Sequence, residues 1–190
     1  MSTQPKTFLT PEQYLEIERK AEYKSEYYDG EMFSMAGARA THNLIAANLI
    51  AQLHAQLRSG PCLTYTSDMR VHVKSTGLYT YPDVVVACQD PRFLDDEVDT
   101  LLNPTLIVEV LSPTTEAYDR GRKFGHYRSI ESLAEYLMVS SERVGAELFT
   151  RQTDGAWLLT AASDLQDAVH LSATGCRLLL ADLYEKVQFS

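Results

Sequence analysis

The sequence is short of positive charge. Its 17 Lys and Arg face 26 Asp and Glu, a formal net charge of −9. That balance excludes a broadly basic surface of the kind that coats nucleic acid through counterion release. Nowhere do about 18 apolar residues follow one another, so no transmembrane helix is expected. Met1 to Thr10 is polar and lacks the apolar stretch of a signal peptide, and the expected location is cytoplasmic. Cysteine is scarce: Cys62, Cys88 and Cys176 are scattered, with no CxxC spacing. Their odd number and spacing argue against a zinc site or a disulfide framework and for reduced thiols. No Gly-rich phosphate loop or nucleophile elbow occurs. No repeat, low-complexity tract or linker divides the chain, so residues 1–190 read as one domain.

What is present is a mixed α/β pattern. Thr10-Pro11-Glu12 starts a helix expected to reach Tyr23. Residues 26–33 have strand-like flanks around Asp29-Gly30, a hairpin signal. Thr41 to Arg58 forms an amphipathic helix with Ile45, Leu49, Leu53 and Leu57 on its apolar stripe. Strands are expected over Cys62 to Lys74, Tyr79 to Cys88 and Leu106 to Leu111. A helix follows from about Thr115 to Ile130, then a strand over Ala134 to Ser140. A hairpin around Asp154-Gly155 and a short helix from Leu180 to Lys186 close the pattern. The core order is helix, strand, strand, strand, helix, strand, an α/β (α+β) arrangement flanked by β-hairpins. The acidic segment Asp90 to Asp99 reads as a solvated loop.

Two acids stand out against this pattern. Asp83 opens the run Tyr81-Pro82-Asp83-Val84-Val85-Val86, and Glu109 interrupts Leu106-Ile107-Val108-Glu109-Val110-Leu111. Both runs are rich in β-branched residues and read as buried strands. An unpaired buried charge costs several kcal/mol, so two such acids call for a compensating charge between them. A divalent metal ion is the simplest candidate, and magnesium takes oxygen ligands from one or two carboxylates plus waters. Pro82 has no N–H, which suits the first position of a strand and places Asp83 near a strand end.

This arrangement resembles the PD-(D/E)XK nuclease superfamily, in which a strand-borne Asp follows Pro and a later strand carries Asp or Glu. The Lys of that pattern, two residues on, is replaced here by Leu111. Further residues resemble the Uma-two family of restriction-endonuclease-like proteins. They are Glu26-Tyr27-Tyr28-Asp29-Gly30-Glu31, His42 opening a helix, Tyr81 to Val86, Val108 to Pro113, the spaced Asp119, Lys123 and Tyr127, and Glu135-Tyr136-Leu137. The resemblance covers roughly residues 10 to 186 and implies a restriction-endonuclease-like fold acting on nucleic acid, with DNA the first expectation. It implies Asp83, Glu109 and the Val110 carbonyl as ligands of Mg2+, with Mn2+ as a substitute. It further implies that the missing lysine has moved to Lys123, and it adds His42 to the catalytic set with Asp83 and Glu109. Asp119, Lys123 and Tyr127 are four apart and share one helix face, from which Lys123 can reach back over the preceding strand. A homodimer with two such sites would cut both strands of a duplex, an arrangement the sequence leaves open.

Each residue has an ordinary reading beside the sharper one. Asp83 could cap a turn, Glu109 could pair with an Arg or Lys, and Lys123 could form an exposed ion pair with Asp119. His42 could be a satisfied core histidine. For Glu26 an exposed hairpin acid is favoured over a place in the cleft. At the level of function, a magnesium-dependent endonuclease stands beside a non-catalytic module of the same fold that binds nucleic acid or protein. The acidic charge and the absent in-line lysine favour the module. An α/β domain with a small-molecule pocket is a third reading.

Overall fold

The computed structural model describes residues 8–189, so the polar stretch at 1–7 and Ser190, both within the expected 1–190 domain, lie outside the described residues. Helix α1 (Pro11–Glu18) opens with a capping box: the Thr10 hydroxyl accepts the Gln13 N–H, and the Gln13 side chain accepts the Thr10 N–H. It ends at Glu18 rather than Tyr23. Strands β1 (Ser25–Tyr28) and β2 (Glu31–Ser34) form the expected antiparallel hairpin. Asp29 and Gly30 at its tip both take positive φ, 49° and 82°, as a tight primed turn requires. Helix α2 (Ala40–Leu57) buries Ile45, Leu49, Leu53 and Leu57, the predicted stripe.

The two long strands expected over 62–74 and 79–88 are each broken in two. The first gives β3 (Leu63–Thr66) and β4 (Arg70–Val73), and the second gives β5 (Leu78–Thr80) and β6 (Val84–Ala87). β3 and β6 pair in one sheet, while β4 and β5 pair in another. The chain changes sheet at Ser67-Asp68 and at Pro82-Asp83, where turn residues and a missing N–H interrupt the ladder. β7 (Thr100–Leu101) joins β4, and β8 (Leu106–Leu111) joins β6.

The helix expected at 115–130 is shorter and less regular. It comprises α3 (Glu116–Tyr118), a π turn (Asp119–Lys123) and α4 (Phe124–Tyr127). The Phe124 N–H reaches back to the Asp119 carbonyl, five residues away. Such one-turn widenings cluster at functional sites. β9 (Glu135–Ser140), β10 (Ala146–Arg151) and β11 (Trp157–Ala162) follow, the last two being the Asp154-Gly155 hairpin. A second hairpin, β12 (Ala168–Leu171) with β13 (Cys176–Leu179), precedes α5 (Leu180–Leu183) and was not foreseen in the sequence.

The strands form a five-stranded sheet in the order β2-β1-β5-β4-β7 and a six-stranded sheet in the order β11-β10-β9-β8-β6-β3. Within the larger sheet, α2, β3, β6, β8, the helix and β9 reproduce the expected core order. β8 and β9 are parallel, so the helix between them is the crossover such a pair requires. Both faces of this sheet are covered. Val84, Val86, Leu106, Val108 and Val110 pack towards α2 and the β12–β13 hairpin. Val85, Ile107, Leu111, Tyr136 and Met138 pack against Phe124 and Tyr127 and against Val71, Val73 and Leu78 of the smaller sheet. Double coverage explains why these strands are apolar throughout instead of alternating.

One further expectation is corrected. Cys62 and Cys88 are joined by a disulfide, and only Cys176 is free. They lie one step past the paired Leu63 and Ala87 of β3 and β6, so register brings them opposite although 26 positions separate them in sequence. Reducing this bond is expected to lower stability by up to about 3 kcal/mol through loop-closure entropy, read as a shift of the urea midpoint with and without reductant. The segment 90–99 is the mostly exposed loop expected, and ion pairs tie it down at Asp95 and Asp99. Arg19 ion-pairs with Asp95 and Asp99, and the buried Arg70 also pairs with Asp99 at 2.8 Å. Arg19, with Thr100 and Arg70, holds the Asp99 carboxyl well below the usual carboxylate range against the opposing effect of its partial burial. Among the described residues no helix is long and apolar enough to cross a membrane.

Candidate active site

Asp83 occupies the position just before β6, where the chain has left the smaller sheet. β8 continues past the last pair it makes with β6, Val84 with Val108, so its later amides face no strand there. The Asp83 carboxylate takes one of them, accepting the Val110 N–H through Oδ2 at 2.8 Å. His42, in the first turn of α2, places Nε2 3.2 Å from the same oxygen. Burial opposes a charge on His42, but the hydrogen bond and charge of Asp83, with Asp119 and the Val110 carbonyl, outweigh it and raise the imidazole above its ordinary value. No described residue pairs with its buried Nδ1.

Glu109 points from the middle of β8 into the face covered by the helix. Its side chain is 5% exposed, and two groups meet its Oε1: the Tyr127 hydroxyl donates at 2.8 Å, and Lys123 Nζ lies 2.9 Å away. Burial lifts the Glu109 carboxyl to about 8; Lys123 pulls it down, while Asp119 and Asp83 push it further up. Lys123 is 6% exposed and also lies 3.2 Å from Glu26 and 3.6 Å from Asp119. Burial disfavours its charge, yet Glu109, Tyr127, Glu26 and Asp119 together hold the ammonium well above its usual value. Burial likewise raises the Asp119 carboxyl, against the pull of Lys123.

The sequence reading placed Asp83, Glu109, Val110, Lys123 and His42 together, and all five line one cleft of about 560 Å³. Lys123 is not the exposed partner of Asp119 alone, and Glu109 has the buried cationic partner foreseen in its ordinary reading. Glu26 is the correction. It is not an exposed hairpin acid: its side chain is 13% exposed, pairs with Lys123 and accepts a hydrogen bond from the Thr80 hydroxyl. That expectation assumed a hairpin with one wet face. Instead Tyr27 packs into a cluster with Tyr14 and Tyr79 on one side, and Glu26 and Tyr28 face the main core region on the other. No local signal in the sequence marks this, because it depends on β1 pairing with β5.

Could these residues hold a metal ion? Among the described residues no group of three or more His, Cys, Asp or Glu is arranged as a metal cage. The donors are two carboxylates, Asp83 and Glu109, with the carbonyl of Val110 beside them. The hydrogen bonds made to the two acids fall on Oδ2 of Asp83 and Oε1 of Glu109, leaving the second oxygen of each without a hydrogen-bond donor among the described residues. Hard oxygen donors few in number, in an open cleft, suit Mg2+, which keeps several waters and fills its shell with substrate phosphate. They do not suit zinc, which favours His and Cys in a closed set.

A family model described as "Uma2: Putative restriction endonuclease" matches residues 11–180. The uncharacterized protein slr1290 of Synechocystis sp. is 38% identical over 183 residues, covering 95% of this chain and 94% of its own. A second Synechocystis protein, the uncharacterized sll1609, is 38% identical over 152 residues, with coverage of 80% and 86%. Among solved structures, "a putative nuclease belonging to DUF820" from Anabaena variabilis superposes with a TM-score of 0.76. It covers 95% of this chain and 99% of its own at 14% identity, a likeness of fold.

Proposed function

The chain belongs to the Uma2 family of restriction-endonuclease-like proteins, and from that premise we propose that it is a magnesium-dependent endonuclease that hydrolyses phosphodiester bonds, with DNA the first substrate to try. One observation carries the proposal: a buried lysine and a buried glutamate in contact, Lys123 with Glu109 at 2.9 Å, beside a second strand-end acid in one open cleft. A purely structural ion pair would not need Asp83, Glu26 and Asp119 gathered around it, since excess buried acid is costly. Asp83, Glu109 and the Val110 carbonyl would hold the ion. When bound, such an ion neutralises charge on a phosphoryl oxygen and acidifies water.

The chain's own residues divide the remaining work. Lys123, fixed by three acids, presents a permanent positive charge for the negative charge that grows on the phosphate. Tyr127 holds the Glu109 carboxylate in orientation, and His42 and the Val110 N–H do the same for Asp83. Cytoplasmic nucleic acid is the substrate pool this reading assumes.

The test is calorimetric titration of Mg2+ and Mn2+ into the wild type and Asp83→Ala. Saturable binding in the wild type that is lost in the variant is the expected outcome. Cleavage of DNA that persists unchanged in Asp83→Ala would sink the proposal.

A further inference from the structure

The cleft has two unlike walls. Its floor is charged, with Asp83, Glu109 and Lys123. A second, mostly apolar part of the lining is formed by Phe33 and the irregular segment after it, including Met35, Ala36 and Ala38. Phe33 is 49% exposed and lines the cleft, so its ring is open to a ligand there. Register explains how it comes to face the site. Phe33 on β2 is directly opposite Glu26 on β1. Opposed residues of an antiparallel pair project from the same face, with Cβ atoms about 5 Å apart. Glu26 reaches Lys123 at 3.2 Å, so the Phe33 ring stands on the face that carries the catalytic lysine.

Charge points to the kind of strand that fits. A duplex is gripped through many phosphates, each met by a Lys or Arg. Of the described residues lining this cleft, Lys123 and Arg39 are the only Lys or Arg, and Lys123 is committed to three acids. The chain as a whole carries −9. Duplex binding therefore has little to draw on. Unpaired nucleic acid has a second source of affinity, because a free base can stack on an aromatic ring whatever its sequence. At about 560 Å³ the cleft is of small-ligand size, room for a splayed nucleotide with its phosphate on the charged floor and its base on the apolar wall. Arg39, which ion-pairs with no described residue, stands at the same rim at the start of α2, placed for a neighbouring phosphate.

Resting on the nuclease reading above, we infer that this site takes unpaired nucleic acid and that Phe33 is the stacking platform for the base beside the scissile phosphate. One site then suffices for one strand, and cleavage needs no second copy of the chain.

Anisotropy titrations of fluorescein-labelled oligonucleotides test this in Ca2+, which occupies oxygen sites without supporting hydrolysis in most magnesium nucleases. The probes are a non-self-complementary single strand and the blunt duplex of the same sequence. The single strand should bind at least tenfold more tightly than the duplex. Phe33→Ala should weaken single-strand binding by about tenfold, the size of one lost base–ring contact. Phe33→Tyr, which keeps the ring, should bind as the wild type does, and Mn2+ titrations should be the same for all three proteins. Equal or tighter binding of the duplex overturns the inference, as does a Phe33→Ala protein that binds the single strand normally. Intact Mn2+ binding with no affinity for either oligonucleotide overturns it while leaving the metal site standing. Absent Mn2+ binding in the wild type removes the nuclease reading itself.

Discussion

Lys123→Met is expected to lose about 3–5 kcal/mol of folding stability and at least a hundredfold of cleavage activity. The side chain lies 2.9 Å from Glu109, 3.2 Å from Glu26 and 3.6 Å from Asp119, and it is almost fully buried. Methionine fills similar space, so packing is largely kept and the loss is electrostatic. Removing one partner of a buried pair strands the other without compensation, and here three acids are stranded. The pH dependence identifies the cause. Lys123 lowers the pKa of both Glu109 and Asp119 while burial raises it, and both already stand above their ordinary values. Without the lysine they rise further. An acid whose folded pKa exceeds its unfolded value contributes stability at low pH and loses it as pH climbs through the folded value. The deficit of the variant should therefore grow with pH: raised Asp119 adds to it first, and Glu109, which stays protonated in both folded proteins below about pH 8, adds to it only above that value, so the deficit is larger at about pH 9 than at about pH 5. Urea unfolding at the two pH values measures it. A loss below about 1 kcal/mol at about pH 9 would mean that the acids are solvated and the pair is an ordinary surface one.

The charged floor of the site could be read in the sequence because it breaks a strong local pattern. Val84-Val85-Val86 and Leu106 to Leu111 are strands on any propensity, and an acid at the edge or middle of such a run has no ordinary use. Lys123 came from the family resemblance; its four-residue spacing from Asp119 and Tyr127 only permits the role, and the π turn through 119–123 leaves Lys123 and Tyr127 both on Glu109. What stayed hidden depends on tertiary pairing. Hydrophobic alternation from Leu63 to Val73 keeps its phase across a single gap at Ser67, where the chain crosses from one sheet to the other, and alternation carries no record of which sheet a strand joins. Ser67-Asp68 and Pro82-Asp83 are the punctuation at the two crossings. Glu26 and Phe33 look like the two sides of an exposed hairpin; their place in the cleft comes from β1 pairing with β5 and from the helix laid across that face. The Cys62–Cys88 bond is likewise a consequence of β3–β6 register.

Glu109→Gln should separate stability from function in the opposite direction. The variant is expected to lose metal binding and cleavage yet be more stable than the metal-free wild type at pH 8. The introduced glutamine is nearly isosteric, can still accept from Tyr127, and leaves Lys123 with two acids, Glu26 and Asp119. What the substitution removes is a carboxyl lifted to about 8 by burial and by the neighbouring acids Asp119 and Asp83. The sign follows from that shift. Glu109 favours the folded state at low pH, and that contribution drains away between about pH 4.5, its unfolded value, and about pH 8, at a slope of at most about 1.4 kcal/mol per pH unit. The wild type and variant should thus be close in stability near pH 5 and diverge as pH rises, with the variant on top. Taking the difference between them cancels His72 and His126, whose lowered values act the other way and are common to both proteins. Magnesium should reverse the order by stabilising only the wild type, by an amount that grows with the logarithm of its concentration. Parallel pH profiles for the two proteins, or equal stabilisation of both by Mg2+, would show that Glu109 is held for folding and not as a ligand. An acidic surplus that weakens the empty protein and is relieved by a cation is what a metal site requires of residues 83 and 109, and a structural ion pair has no use for it.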